Sequence, residues 1–228
     1  ITKMSLDGKI LFQKSVTEIL LENNLSFLLF PAGISPHGGT VTFDPIHLND
    51  IQPVLNDGPN WKRGDVFLSL RHLSLVILYR PSTNTIIWKS LGHTAAQHDV
   101  NIIDKNSISI FNNNAIGFID GDRVDGNSEI VVYNFKTDSY SKYHDEALKK
   151  HDVKTMSEGR GKILDNGDLF IEEQNSSRLL YFNKDKTLKW QYVNRADDEI
   201  SYQVRWSRIL FKPEDIIKAR QVIETKTN

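Results

Sequence analysis

The sequence contains no cysteine. That excludes disulfides, thiolate metal sites and a cysteine nucleophile, while leaving the compartment open, because secreted proteins need not carry disulfides. Charge of one sign is not in excess. With 28 Lys and Arg against 29 Asp and Glu, the net charge of −1 gives no broad attraction to nucleic acid or to an anionic membrane. No apolar run approaches the roughly 20 residues of a membrane-spanning helix. His-x-His and Cys pairs are absent, so no metal is expected, and no cofactor is implied. The acidic stretch Asp120-Gly-Asp122, followed by Asp125-Gly126, lacks EF-hand spacing because Val124 breaks it; it reads as a solvated hairpin loop. The chain opens at Ile1 without a charged-then-apolar leader, so it is expected to be processed, trimmed or part of something longer.

What is present is a repeat. The 228 residues are 39% hydrophobic, enough for one sizeable core or a piece of a larger one. Gly64-Asp-Val-Phe-Leu68, Leu75-Val-Ile-Leu-Tyr79 and Thr85-Ile-Ile-Trp88 align with Gly167-Asp-Leu-Phe-Ile171, Leu179-Leu-Tyr-Phe182 and Thr187-Leu-Lys-Trp190. A looser copy lies between them, in Ser107–Phe111, Ile130–Phe135 and Asp138–Tyr140. Leading strands recur about every 40 to 60 residues, the spacing of propeller blades. Turn residues at Asn56-Asp-Gly58, Asp165-Asn-Gly-Asp168 and Asn183–Lys186 separate the β-branched and aromatic runs, as hairpins require.

The fold expected is therefore all-β, a β-propeller with an incomplete set of about four to five blades; a β-sandwich with coincidentally similar strands is the competing topology. Strands are expected at about 65–70, 75–80, 85–89, 107–112, 129–135, 168–173, 178–183 and 187–192. Residues 1–40 read as the end of a preceding blade plus a loop and short helix, 41–211 as repeated blades, and 212–228 as a C-terminal helix and tail, all in one domain. Met4–Phe12 looks like an outer hairpin, and Val204–Phe211 like a leading strand whose blade does not continue. Helices are expected at Val16–Glu22, with Ser15 as N-cap, and at Pro213–Ile223. Open propeller edges offer a route to self-association.

Polar residues recur at the ends of these strands. His47 and His98 precede leading strands, and Arg160, in Glu158-Gly-Arg-Gly161, holds a similar place before the third copy. Arg71 follows the first strand of one copy, Asn112-Asn-Asn114 that of the next, and Gln174-Asn175 that of the third. In a propeller such positions converge at one axial mouth, bringing imidazoles, a guanidinium and carboxamides together without a local motif. That set suits an anion site with an internal base or nucleophile.

Read in order, His47-Leu-Asn49, Ser69-Leu-Arg-His72, the Trp88-closed hairpin, Gln97-His98 and Phe111-Asn-Asn113 resemble the bacterial aryl sulfotransferase family. The match is densest over residues 42 to 115 and continues at blade level to about Phe211. The resemblance implies a six-bladed propeller that moves sulfuryl groups from aryl sulfates to phenols without a nucleotide donor, through a transiently sulfated histidine. By motif His98 is that histidine, while His47 and Arg71 match residues that bind the transferred group; a periplasmic or secreted location is also implied. His72, Asn49, Asn112 and Arg160 are expected at the substrate. The family has a further active-site histidine on an earlier blade. His37, in the loop-like Ser35-Pro-His-Gly-Gly39, is a poor equivalent, and Asn112–Asn114 replaces an Asp-Asn-Gly pattern.

The residue types fit that chemistry. Neutral imidazole is a nucleophile toward sulfur, a guanidinium fork holds sulfonyl oxygens, and a second imidazole can carry a proton. Bland readings stand beside these. His72 can pack against or cap a hairpin, and His37, His93, His144 and His151 read as surface or satisfied structural residues. Two functional classes follow: a sulfotransferase acting on small aryl sulfates and phenols, or a noncatalytic propeller that binds a ligand or partner.

Overall fold

The computed structural model describes residues 1–29, 44–118, 121–210 and 212–226; His37 and Asp120 lie outside them. The chain opens with an antiparallel hairpin, β1 (Thr2–Met4) and β2 (Ile10–Gln13), then helix α1 (Val16–Glu22). Ser15 precedes α1 in extended conformation, and its N–H donates to the Glu18 carboxylate at 3.2 Å, satisfying a donor that the first turn leaves over.

Three four-stranded antiparallel sheets follow. The first holds β3 (Leu48–Pro53), β4 (Val66–Leu70), β5 (Leu75–Arg80) and β6 (Thr85–Leu91) in chain order. The second contains β7 (His98–Asp104), β8 (Ser107–Asn112), β11 (Glu129–Asn134) and β12 (Ser139–Tyr143). A separate hairpin, β9 (Ala115–Phe118) with β10 (Gly121–Val124), is inserted between its second and third strands, which is why this copy of the repeat looks loose in sequence. Short helix α2 (Asp145–Lys150) leads to the third sheet, β13 (Arg160–Ile163), β14 (Leu169–Glu173), β15 (Arg178–Phe182) and β16 (Leu188–Val193). Helix α3 (Pro213–Lys226) ends the described chain.

Side-chain alternation explains the stacking. In the first sheet Leu68, Leu70, Leu75, Ile77 and Tyr79 face α1, burying Val16, Ile19 and Leu20. On its other face Phe67, Val76 and Leu78 meet Val100, Ile108, Ile110 and Tyr133 of the second sheet. The second sheet's Phe111 and Ile130 then meet Leu169, Ile171, Leu180 and Phe182 of the third. Strands buried on both faces carry continuous apolar runs, which is why they were the ones visible in sequence. Sheets stacked face to face, each entered at one edge and left at the other, are β-propeller blades.

Two expectations need correcting. The strands read as leading are the second of each blade. The inner strands are β3, β7 and β13, which approach one another with β7 between the other two. Their sequences, Leu-Asn-Asp-Ile-Gln-Pro, His-Asp-Val-Asn-Ile-Ile-Asp and Arg-Gly-Lys-Ile, are too polar to stand out as strands, because one side of each faces the axis rather than a core. Further, of the leading strand expected over Val204–Phe211, residue 211 lies outside the described residues, the last blade strand described ends at Val193, and residues 204–210 are irregular. Their main-chain amides go instead to a side chain of the third blade.

Candidate functional site

The inner strands run in the same direction, so their N-terminal ends gather at one mouth. Register defines the equivalence: Asp50 pairs with Ser69, His98 with Phe111 and Arg160 with Glu172, each partner being the next-to-last residue of the second strand. A bulge lies beside this position in the first two strands, before Asp50 and after His98, leaving Asn49 and Asp99 as the extra residues. Arg160 needs a closer approach of backbone to blade. A Cβ on Gly161 would stand 2.1 Å from Ile130, and one on Gly159 2.7 Å from Phe111. Glycine on both sides lets β13 lie against these core side chains with Arg160 between.

The mouth encloses a cavity of about 250 Å3 lined by His47, Asn49, Asp50, His98, Asp99, Glu158, Gly159, Arg160, Glu172, Gln174, Arg205 and Trp206. Of these, His47, Asp99, Glu158, Gly159 and Trp206 have left-handed backbone. Non-glycine residues pay strain for that conformation, and such strain collects where a site fixes side-chain direction.

His98 is buried and its tautomer is determined. The Glu158 N–H donates to Nε2 at 3.1 Å, so Nε2 carries the lone pair and Nδ1 the proton. Nδ1–H then donates to Asn113 Oδ1 at 2.7 Å. Asn113 cannot flip, because its Nδ2 donates to the carbonyls of Thr155 and Glu158 at 2.9 and 2.7 Å. Burial pushes the His98 pKa down to about 4; the Asn113 bond opposes the fall, and the positive charges of Arg71 and of protonated His47 deepen it. The ring is neutral at any physiological pH.

His47 is half-exposed. Its Nδ1 lies 2.9 Å from Asp44 Oδ2 and its ring centroid 4.5 Å from that of His72. Burial, His72 and Arg71 lower its pKa, and Asp44 opposes them. Arg71 stands beside the cavity rather than in its lining. Its N–H donates to the His47 carbonyl at 3.0 Å, and Nη2 reaches the Met156 carbonyl at 3.4 Å, while the buried Nε has no partner. A guanidinium with unsatisfied buried donors suits an arriving oxyanion.

Two carboxyls complete the cavity. Asp99 binds Arg160, Nε to Oδ1 at 3.1 Å, and accepts from the Gly161 N–H at 3.0 Å. Asp50 accepts from the Val100 N–H at 2.8 Å, yet burial raises its pKa to about 6, with the nearby Asp99 charge adding to the rise.

Of the residues read from sequence, His98, His47, Asn49 and Arg160 share this cavity, with Arg71 beside it. Asn49 donates to the Gln97 carbonyl at 2.8 Å and keeps a buried Oδ1 with no partner. His72 is exposed, held by the Asp44 carbonyl at 2.7 Å, and reaches the site only through His47. Asn112 does not line the cavity: its Oδ1 accepts from the N–H groups of Ala95 and Asn114 at 2.8 and 3.0 Å, and its Nδ2 donates to Glu129 at 3.0 Å. The neighbouring Asn113 has the contact with His98. Gln174, read at the end of a strand of the third copy, lines the cavity as well, whereas Asp50, Asp99, Glu158, Glu172, Arg205 and Trp206 were not expected there. Asn113 had a signal in the asparagine run, whereas nothing in the sequence joins Arg205 and Trp206 to residues a hundred positions earlier. Among the described residues no His, Asp or Glu cluster has the arrangement of a metal site.

A family model described as arylsulfotransferase (ASST) matches residues 1–195. No curated protein matches the chain. Similar solved structures include the WD40 β-propeller domain of Doa1, with TM-score 0.40 and 15% identity over 70% of this chain and 43% of that one. Virginiamycin B lyase from Staphylococcus aureus is another, with TM-score 0.38 and 15% identity over 63% of this chain and 44% of the lyase. The chain thus spans less than half the length of either structure.

Proposed function

The chain belongs to the arylsulfotransferase family, and from that premise we propose that it transfers a sulfuryl group from an aryl sulfate to a phenol through His98. The observation that carries the reading is the state of this imidazole: neutral, with the proton pinned on Nδ1 by Asn113 and the lone pair at Nε2 on the cavity side. In the first half-reaction Nε2 forms a bond to sulfur as the S–O bond to the aryl oxygen breaks, and the phenolate leaves and takes a proton. In the second, the acceptor phenol gives its proton to a base and attacks sulfur, releasing neutral His98. His47 is the candidate proton carrier, since it is half-exposed and an ion-pair partner raises its basicity against burial. Arg71, with its unpartnered Nε, is the candidate donor to the sulfonyl oxygens.

One observation favours a second reading, a noncatalytic ligand-binding propeller. The Glu158 N–H already occupies the Nε2 lone pair. Attack therefore requires that bond to open, after which the freed amide is positioned to donate to a sulfonyl oxygen. Incubation of the full-length protein with 4-nitrophenyl sulfate, followed by mass spectrometry of its peptides, separates the two. Sulfo-modification of His98, removed by added phenol, supports transfer; saturable binding with no modified peptide leaves the binding module.

A further inference from the structure

Trp206 is the one large aromatic on the cavity wall, and it is held there at a cost. It is 71% exposed, and its φ is +58°, a conformation that a bulky side chain avoids. No core contact accounts for that. Glu172 does: this carboxylate is 1% exposed, and it accepts the main-chain N–H groups of both Trp206, at 3.1 Å, and Ser207. The other side of the segment is tied by the Arg160 guanidinium, whose Nη1 reaches the Ser207 carbonyl at 3.5 Å and whose centre lies 5.2 Å from the indole centroid. A buried acid and a cation together fix a short irregular segment so that an indole stands over the cavity holding His98. Backbone strain maintained by surrounding bonds marks a position that is used.

The polar groups beside the indole point to the same class of ligand. Gln174 lines the cavity at 3% exposure, and its Nε2 has no hydrogen-bond partner, which leaves a buried donor awaiting an acceptor. Arg205 lines the same wall, 3.7 Å from Glu158, in a pair too long and exposed to neutralise it. Of the four carboxyls in the cavity lining, Glu172 is turned to the Trp206 and Ser207 amides, Asp99 to Arg160 and Asp50 to the Val100 N–H, so the groups left facing the indole side are the Gln174 carboxamide donor and the Arg205 guanidinium, a set that suits a flat ligand with an anionic group. We propose that Trp206 is a specificity-determining residue on which the aryl ring of the sulfated substrate stacks, with Gln174 and Arg205 donating to its anionic oxygens. Arg205 and Trp206 lie beyond the matched residues 1–195, while Arg160, Glu172 and Gln174 lie within them. The ligand class rests on the sulfuryl-transfer reading; the wall itself rests on geometry.

The test uses naphthalene-2-sulfonate, whose carbon–sulfur bond cannot donate its sulfo group, so binding is read independently of catalysis. Titration calorimetry on the full-length protein is expected to show Trp206→Ala binding about tenfold more weakly than the parent and Trp206→Phe retaining most of the affinity. Methanesulfonate, which has no ring, should bind both variants like the parent. Because Trp206 is exposed, thermal melting should be unchanged. Equal affinity of Trp206→Ala and parent for naphthalene-2-sulfonate overturns the proposal, as does absence of saturable binding to the parent. Trp206-dependent binding in a protein that never sulfates His98 sinks the transferase reading and leaves this one standing.

Discussion

In the first blade His47 stands one residue before the inner strand, half-exposed, paired with Asp44 and in tilted ring contact with His72. In the second blade His98 is the first residue of the strand itself, buried and held at both nitrogens by Asn113 and the Glu158 amide. By register His98 holds the position that Asp50 holds in the first blade, so His47 lies three residues further out, before the strand begins. The same imidazole thereby acquires two characters: a ring that stays neutral with a fixed lone pair, and a ring with a counter-ion and access to solvent. A two-step transfer uses one of each, because the nucleophile must stay unprotonated while the proton carrier must give up and take on a proton in turn.

The largest expected effect comes from removing the buried member. His98→Asn in the full-length protein should reduce transfer from aryl sulfate to phenol to background and eliminate the sulfated peptide, since a carboxamide has no lone pair able to attack sulfur. Retention of either would assign the chemistry elsewhere.

The cavity also contains a pair whose effects on stability oppose each other. The His98 pKa is about 4 in the fold against an ordinary 6.5. The unfolded chain therefore binds the proton first, and stability falls as pH drops from 6.5 to 4, by about 3 kcal/mol. Asp50 runs the other way, with a pKa of about 6 in the fold against 3.8. The fold binds that proton first, so stability falls by about 3 kcal/mol as pH rises from 3.8 to 6. The two nearly cancel in the parent. Urea unfolding at pH 4.5 and pH 6.5 should show Asp50→Asn losing stability on acidification and His98→Asn gaining it. Parallel behaviour of the two variants would refute the difference in burial.

How far the sequence could reveal this follows from what each strand faces. The second and third strands of each blade are buried by neighbours and read as apolar runs, so Leu75–Arg80 and Arg178–Phe182 were visible. The inner strands spend one side on the axis, and Arg160–Ile163 carries no apolar pattern at all. Helix Asp145–Lys150 was hidden because it buries only Ala147 and Leu148, too few for a helical period. Motif order placed His47, Asn49 and His98 at the site and the repeat placed Arg160 there, but the asparagine run led to Asn112 rather than Asn113, because the hydrogen bonds that separate them come from Thr155 and Glu158, some forty residues on. Trp206 depends on Glu172, and a contact between an irregular segment and a buried acid leaves no local signature.

The third effect sharpens the contrast at its hinge. Asn113→Asp replaces a neutral acceptor with a carboxylate next to Nδ1–H, and should raise the His98 pKa by about one to three units. The acid limb of the pH–rate profile, expected near pH 4 in the parent, should move up accordingly, with the rate at pH 8 least affected. An unmoved limb would mean that another group sets it.

The smallest effect is expected at the exposed histidine, and its smallness is itself the test. Asp44→Asn removes the charge and the second acceptor, Oδ2, that faces the ring Nδ1 at 2.9 Å, while the Asn oxygen can still accept from the His47 main-chain N–H, as Asp44 Oδ1 does at 2.8 Å. The lost ion pair is between groups whose side chains are 42% and 62% exposed, so it is worth well under the energies above, about 0.2–1 kcal/mol. Asp44 opposes the lowering of the His47 pKa, so the variant's His47 should titrate at slightly lower pH, by less than about one unit. Proton NMR titration of the His47 ring should show this shift shrinking as salt is raised, because screening already weakens the exposed pair in the parent. The His98 titration should not move, since Asp44 is not among the groups that set it. A salt-insensitive change at His47, or a comparable change at His98, would show that the two histidines share one buried network and would remove the division of roles between them.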